Sequence, residues 1–393
     1  VPHIALGGED RTDEQRDLRM ELRRLLTRLW SDDHARELAD GDRTTGAKLA
    51  AVLEHDIALG ALLVPEELGG HGGGCVEAAV AAEELGAASA PSRLLGDAMS
   101  AHLLATSGDA ELHRRLRRVV EDGVPAAVVW PAQDATWDLH QIHPVEITGA
   151  GASGRFRYVA EALDAALLLV PARRGAEFGL LLLDLSREGS GVELHPAKGA
   201  DVLRPLGGLT VAGPTGEWVG LAEPQRVFTE TVALGAIVLA AEMIGAARSC
   251  IERMATYAGQ REQFGRTIGS FQALRHQIVD ALVAWEAARA MTYRAAAGFA
   301  AMTRGTARID DVEPMARMAK AAASDALGEA SETCIHVYGA IGFTWENPVH
   351  LAFKRWAASA QIFGSPTEQR VRVCQHAIIN AGGRAGGALR VAG

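Results

Sequence analysis

Glu242 is a carboxylate in apolar company, with Leu239-Ala240-Ala241 before it and Met243-Ile244 after it. Burial raises a carboxyl pKa, and a carboxylate tuned that way can take a proton as a general base. The same setting suits a buried Glu paired with an Arg from another helix, the commoner use of such a residue. A denser concentration is Tyr257-Ala258-Gly259-Gln260-Arg261-Glu262-Gln263-Phe264-Gly265-Arg266-Thr267-Ile268-Gly269-Ser270-Phe271-Gln272. Taken singly, these residues have local readings: Arg261 closes a helix with Gly265 just past its end, and Phe271 fills a core. Two further stretches stand out, Val64-Pro65-Glu66-Glu67-Leu68-Gly69-Gly70 and Gly339-Ala340-Ile341-Gly342-Phe343-Thr344-Trp345-Glu346. The Asn347-Pro348 that follows Glu346 reads as a turn.

Other chemistries are argued against. Cys75, Cys250, Cys334 and Cys374 are scattered, with no C-x-x-C, which fits neither a disulfide framework nor a zinc site. Gly149-Ala150-Gly151-Ala152-Ser153-Gly154 satisfies G-x-G-x-x-G, but Arg155-Phe156-Arg157-Tyr158-Val159 follows as a strand. A dinucleotide fingerprint needs a helix there, so these glycines read as a hairpin loop. The formal net charge of −10, without a basic stripe, argues against nucleic acid. No run approaches the length of a membrane span, and no basic segment leads into an apolar core near the N-terminus. The cytoplasm is the expected compartment.

The elements that must position these residues fall into three blocks. Residues 1–123 read as a helical domain, with Leu18, Leu22, Leu25 and Leu26 at helical spacing and a glycine-rich break at 65–74. Residues 124–225 hold short apolar runs between Gly, Pro and charged turns, which predicts antiparallel strands in a barrel or sandwich. Residues 226–393 return to long helices, with Ile278, Leu282, Trp285 and Arg289 along one stripe and a largely apolar segment from Thr229. Segregated blocks of this kind indicate α+β.

The run from Arg261 to Gln272 resembles the R-x-x-F-G-x-x-I-x-x-F-Q signature of the acyl-CoA dehydrogenase family. Gly339–Glu346 is similar to that family's G-G-x-G-F-T-W-E stretch, found in actinobacterial-type branches, and Val64–Gly70 to its P-E-x-x-G-G loop. The resemblance implies an N-terminal helical domain, a central antiparallel β-domain and a C-terminal four-helix bundle. FAD would lie between the β-domain and the bundle, its adenine end reaching a neighbouring subunit. Arg261 would neutralise the FAD pyrophosphate, a task that suits a guanidinium fork. Gln263, Phe264, Ile268, Phe271 and Gln272 would complete that end. His336 stands where the family has Gln, and Ala340 where it has Gly. Gly339 and Gly342 would let backbone approach the cofactor. The flavin-ring segment is matched only by Pro131 within Val129-Trp130-Pro131-Ala132-Gln133-Asp134.

The family's reaction is α,β-desaturation of an acyl thioester, by α-proton abstraction and hydride transfer to FAD. Its usual Glu aligns with Phe363, within Ile362-Phe363-Gly364-Ser365-Pro366-Thr367, and its alternative Glu with Gly235. Neither window offers an acid. Glu242 lies two turns beyond Gly235, and Glu230 reads as a helix-start acid. The leading expectation is an acyl-CoA dehydrogenase-like oxidoreductase acting on an acyl-CoA or carrier-bound acyl group, passing electrons to an electron-transfer flavoprotein. Its assembly would be a homotetramer or a heteromer with a related subunit. The alternatives are a base-deficient subunit of a heteromeric acyl-CoA dehydrogenase and a flavin-dependent oxidase or hydroxylase on the same fold.

Overall fold

The computed structural model describes residues 12–388 except 56, 108–109, 131–143, 150, 187–190, 205 and 214–215. Pro131 to Asp134 and Ala150, singled out above, lie outside the described residues. Among the described residues six α-helices come first: α1 (Asp13–Leu29), α2 (Asp32–Ala39), α3 (Thr44–His55), α4 (Cys75–Ala87), α5 (Leu94–Thr106) and α6 (Ala110–Glu121). Helix α1 starts at a capping box, in which Thr12 and Gln15 satisfy each other's backbone N–H, and buries Leu22, Leu25 and Leu26.

Among the described residues eight strands follow: β1 (Ala126–Val128), β2 (Val145–Thr148), β3 (Gly151–Ala160), β4 (Leu167–Arg174), β5 (Glu177–Asp184), β6 (Val192–Ala197), β7 (Leu206–Gly213) and β8 (Glu217–Gly220). They form one sheet in the order β6-β7-β3-β2-β4-β5-β8, with β1 also on β4. The expected all-antiparallel barrel or sandwich is therefore corrected to a single mixed sheet. β1 and β2 lie end to end along one edge of β4, and both run parallel to it. Short apolar runs carry no signal of direction, which the available edge decides. Alternation along β4 and β5 divides two cores. Leu167, Leu169, Leu180 and Leu182 face the helices, while Leu168, Val170, Leu181 and Leu183 face the sheet's own core.

The last block contains α7 (Pro224–Gln260), a two-strand hairpin β9 (Glu262–Gln263) and β10 (Arg266–Thr267), α8 (Gln272–Thr303), α9 (Ile309–Tyr338), α10 (Val349–Ser359) and α11 (Pro366–Ala388). Helix α7 opens with Pro224, whose missing N–H costs nothing at a helix start. Among the described residues it is the one helix long and apolar enough to cross a membrane, contrary to the expectation of no such run. Its most apolar window is 94% buried inside the protein, which accounts for the composition without a bilayer. Helices α4 and α7 touch backbone to backbone. A methyl on Gly245 would overlap the Glu83 carbonyl oxygen, and one on Gly86 that of Glu242. This approach brings Glu83 and Glu84 beside Arg248 and Arg289, with Arg19 of α1 closing the cluster.

Candidate functional site

Gly235 and Phe363, far apart in sequence, meet. A Cβ on Gly235 would lie 2.6 Å from Phe363 Cζ and 2.7 Å from Met99 Sδ. Gly235 sits in the buried middle of α7, Met99 on α5, and Phe363 in the turn between α10 and α11. The phenyl ring therefore fits against α7 because residue 235 has no side chain. Phe363 is 2% exposed and has φ 63°, followed by Gly364 at φ 93°. Three hydrogen bonds from two side chains hold this turn. Lys320 Nζ donates to the carbonyl oxygens of Ala360 and Gly364, each at 2.6 Å, and the Gln369 amide donates to that of Phe363. Burial pushes the Lys320 ammonium pKa down to about 7.

The ring separates two small spaces, each of about 20 Å³. That is room for little more than one water. One is walled by Leu95, Met99, Val128, Trp130, Tyr158 and Val159, at the seam between helices and sheet. The other is bordered by Val232, Ala233, Ala236, Glu313 and Arg317, and its one carboxylate, Glu313, is bound twice by Arg317.

Glu242 lies elsewhere in the charge pattern. It is buried between the guanidiniums of Arg204 and Arg355, the second at 3.1 Å. Arg355 also binds Asp201 at 3.1 Å, and Arg204 donates to Ser359 Oγ at 3.2 Å. Of the two uses the sequence left open, the structure displays the ion pair, with one Arg from α10 and one from the loop before β7. Glu230 is not a cap. It is buried well inside α7, with Arg226 at 3.0 Å and His102 at 3.4 Å. Burial raises its pKa, but these two partners outweigh that and hold it below the usual carboxylate value.

The second concentration of residues gathers at the far end of α7. The helix stops at Gln260, with Arg261 in extended geometry as its cap, so Gly265 does not end it. Instead Phe264 (φ 54°) and Gly265 (φ 77°) form the tip of the β9–β10 hairpin. Two successive positive φ values are what a tight two-residue hairpin turn requires. Phe264 is 92% exposed, and Phe271 lies edge-on to it at 6.2 Å. Phe271 is not core. It is half-buried, with the Arg266 guanidinium 4.1 Å above its ring. The Ile268 N–H donates to the Arg261 carbonyl at 2.8 Å, closing the loop. Gln263 donates to the Glu262 carbonyl, and Gln272 begins α8 beside His276.

His336 is exposed in the last turn of α9, and Tyr338 stacks on Tyr257 at 4.2 Å. That stack joins the ends of α7 and α9, so Arg261, Phe264 and Gly339 share one end of the bundle. Gly339 has φ 64° and ψ −139°, a backbone essentially reserved for glycine, and faces open space. Gly342 has a different reason to be small. A Cβ there would meet the Ile335 carbonyl oxygen at 2.8 Å, so it serves packing within its own chain.

A flat, anionic cofactor such as FAD fits this end. Arg261 is exposed and makes no ion pair among the described residues. Phe264 offers an uncovered ring. From Gly235 to Arg261 is 26 residues, about 39 Å along the helix axis at the usual rise. The hairpin end and the Phe363 end of one chain are thus too far apart to serve one small cofactor together.

Sequence reasoning missed Lys320, Met99, Arg204 and Arg355. Lys320 carried a signal, as a lysine within the Ala-rich run of α9. The other three carried none, because their partners come from distant segments.

Residues 12–121 match the family model for the acyl-CoA dehydrogenase N-terminal domain, and residues 225–378 that for the C-terminal domain. Acyl-CoA dehydrogenase IpdE2 of Mycobacterium tuberculosis is 31% identical over 359 residues, covering 91% of this chain and 95% of that protein. The ChsE4-ChsE5 complex from Mycobacterium tuberculosis has the same fold, with TM-score 0.79 at 24% identity over 94% of this chain and 98% of the other. A Tcur3481-Tcur3483 steroid ACAD variant gives TM-score 0.78 at 25% identity over 94% and 99%.

Proposed function

The chain belongs to the acyl-CoA dehydrogenase family, and we propose that within it this chain is the base-deficient subunit of a heteromeric acyl-CoA dehydrogenase. Members of this family bind FAD. Bound FAD would supply hydride acceptance, and the hairpin residues Arg261, Phe264, Phe271 and Gln272 would hold its phosphate end. The carboxylate that takes the α-proton of the acyl thioester would come from a partner subunit of the same fold.

The observation that carries this reading is the contact of Phe363 with Gly235. Both of the family's positions for the base fall on one spot, and an aromatic ring occupies it. Counting along a sequence can slip by a residue, but two independent counts that land on neighbouring residues in space support each other. Among the described residues, the spaces that Phe363 lines are small, which argues against a second carboxylate reaching a substrate there. Glu242 is committed to two arginines, which speaks against a relocated base. The long separation of the hairpin end from the Phe363 end supports a cofactor shared between neighbouring subunits. The structural relatives named as two-chain assemblies make a mixed oligomer the natural form, with an electron-transfer flavoprotein as the electron acceptor and the cytoplasm as the compartment.

The test is anaerobic mixing of the FAD-reconstituted chain, expressed alone, with a panel of acyl-CoA thioesters. The expected result is no bleaching of the flavin, with bleaching appearing once a carboxylate-bearing partner is co-expressed. Catalytic bleaching by a flavin-saturated homo-oligomer of this chain would overturn the reading. Rapid reoxidation by oxygen with a hydroxylated product would move the chain to monooxygenase chemistry.

A further inference from the structure

A separate cleft of about 350 Å³ opens between α3 and the turn joining β3 to β4. Its walls are apolar, from Leu38, Ala47, Ala50, Pro91 and Leu203, and its polar lining is Glu54, Arg93, Glu161 and Arg204, with the Arg43–Asp164 pair beside them. Apolar walls with a few convergent polar groups, at this volume, are the usual make-up of a small-molecule site.

The charges at its base do not balance. Glu54 binds Arg93 at 3.3 Å, and Arg93 reaches Asp97 at 3.6 Å. Arg204 faces Glu161 but is bound to Glu242, which shares Arg355 with Asp201. This connected group holds five carboxylates (Glu54, Asp97, Glu161, Glu242, Asp201) and three guanidiniums (Arg93, Arg204, Arg355). Buried charges require partners. The deficit shows at Glu161, which is 6% exposed. Its Oε2 accepts from the Gly96 N–H at 2.7 Å, while its Oε1 has no hydrogen-bond partner.

We infer that this cleft binds a small organic ammonium, the cation meeting Glu161 and Glu54 and the apolar part lying against Leu38, Ala47, Ala50 and Pro91. An ammonium supplies donors to an orphaned carboxylate oxygen and the positive charge the network lacks. A bare metal ion suits the cleft less well. No group of three or more metal-ligating side chains occurs among the described residues, and the apolar walls would have nothing to cover. Burial, weakened by Arg204, raises the Glu161 pKa to about 7, and Asp97 is raised as well. Without a ligand, protons therefore take up part of the excess charge. The titratable and charged groups facing Glu161 are Arg204, Glu242, Arg93, Asp97 and Glu54.

The site is independent of the proposed subunit role and is tested without any turnover. Isothermal titration calorimetry of the full FAD-loaded chain compares hexylammonium chloride with 1-hexanol. Saturable binding of the ammonium at pH 8, absent for the alcohol, is expected. It should weaken as the pH falls from 8 to 6 and Glu161 protonates. Glu161→Gln should weaken it about tenfold, the loss of one charge-assisted hydrogen bond. If that variant fails to fold, Glu54→Gln and the wild-type pH series carry the test. Equal binding of hexanol, no binding at pH 8, or affinity insensitive to both pH and these substitutions overturns the inference.

Discussion

Substituting Gly235→Ala adds one methyl at the spot where Phe363 and Met99 already meet. Its Cβ would fall 2.6 Å from Phe363 Cζ and 2.7 Å from Met99 Sδ. The methionine can swing, because thioether side chains adapt. The ring has less freedom, since Lys320 and Gln369 fix the backbone of its turn. Overpacking of this kind costs about 1–3 kcal/mol. Replacing Gly by Ala inside a helix returns about 1 kcal/mol. The net expectation is a loss of about 1 kcal/mol, a fall of about 2–4 °C in Tm for a domain of ordinary size. The informative step repeats the substitution in a Phe363→Ala background. With the ring gone, the methyl meets only the Met99 thioether, which has the vacated space to swing into, and it fills part of the cavity and keeps its helix preference. There Gly235→Ala should raise Tm by a similar amount. Differential scanning fluorimetry on all four proteins, at fixed FAD and protein concentration, reads the cycle. A substitution effect of the same sign and size in both backgrounds would refute the claimed contact.

Glu242→Gln removes the carboxylate that Arg204 and Arg355 both bind, while Asp201 and Glu161 still face those guanidiniums, so it should destabilise by about 1.5–3 kcal/mol; a fully stable variant, seen in thermal melts, would reopen a catalytic role. Lys320→Met strips the Ala360 and Gly364 carbonyls of their donor and should cost about 2 kcal/mol or more. Because the folded pKa of Lys320 is depressed to about 7 from 10.5, the unfolded chain binds the extra proton between those values. Wild-type stability should therefore climb across that window relative to the Met variant, measured as the difference between two Tm–pH curves. Glu161 has the opposite sign. Its folded pKa is raised to about 7 from 4.5, so its contribution is complete below 4.5 and is lost as pH rises through 7. Glu161→Gln should flatten that fall in the same melts. Arg261→Lys keeps the charge but loses the planar fork, and FAD retained per chain after gel filtration should drop; unchanged flavin content would remove Arg261 from the cofactor site.

Most of the three-block architecture was legible in the sequence, for reasons visible in single elements. Leu18, Leu22, Leu25 and Leu26 announce α1 by their helical spacing, and the last three form its buried face. The stripe carrying Trp285 and Arg289 reports the buried face of α8 because side chains at helical spacing share a side. The direction of β1 and β2 was not legible, since three- and four-residue apolar runs look alike whichever way they pair. The hairpin tip at Phe264-Gly265 was not legible, because Gly with positive φ serves a helix end and a tight turn alike.

The sequence by itself determined the family, through residue types held at short fixed spacings from Arg261 to Gln272, and it marked Phe363 and Gly235 as positions without an acid. Local spacing survives folding, so such signals need no coordinates. Only the tertiary structure decided that those two positions are one place, that Gly235 makes room for the Phe363 ring, and that Glu242 is held by Arg204 and Arg355. The cleft above Glu161 was equally invisible, because its charge deficit is a sum over side chains from α3, α5, α7, α10 and the loops that leave β3 and enter β7. Burial and ion pairing depend on which segments pack together, and contacts between residues more than a hundred positions apart leave no spacing to read.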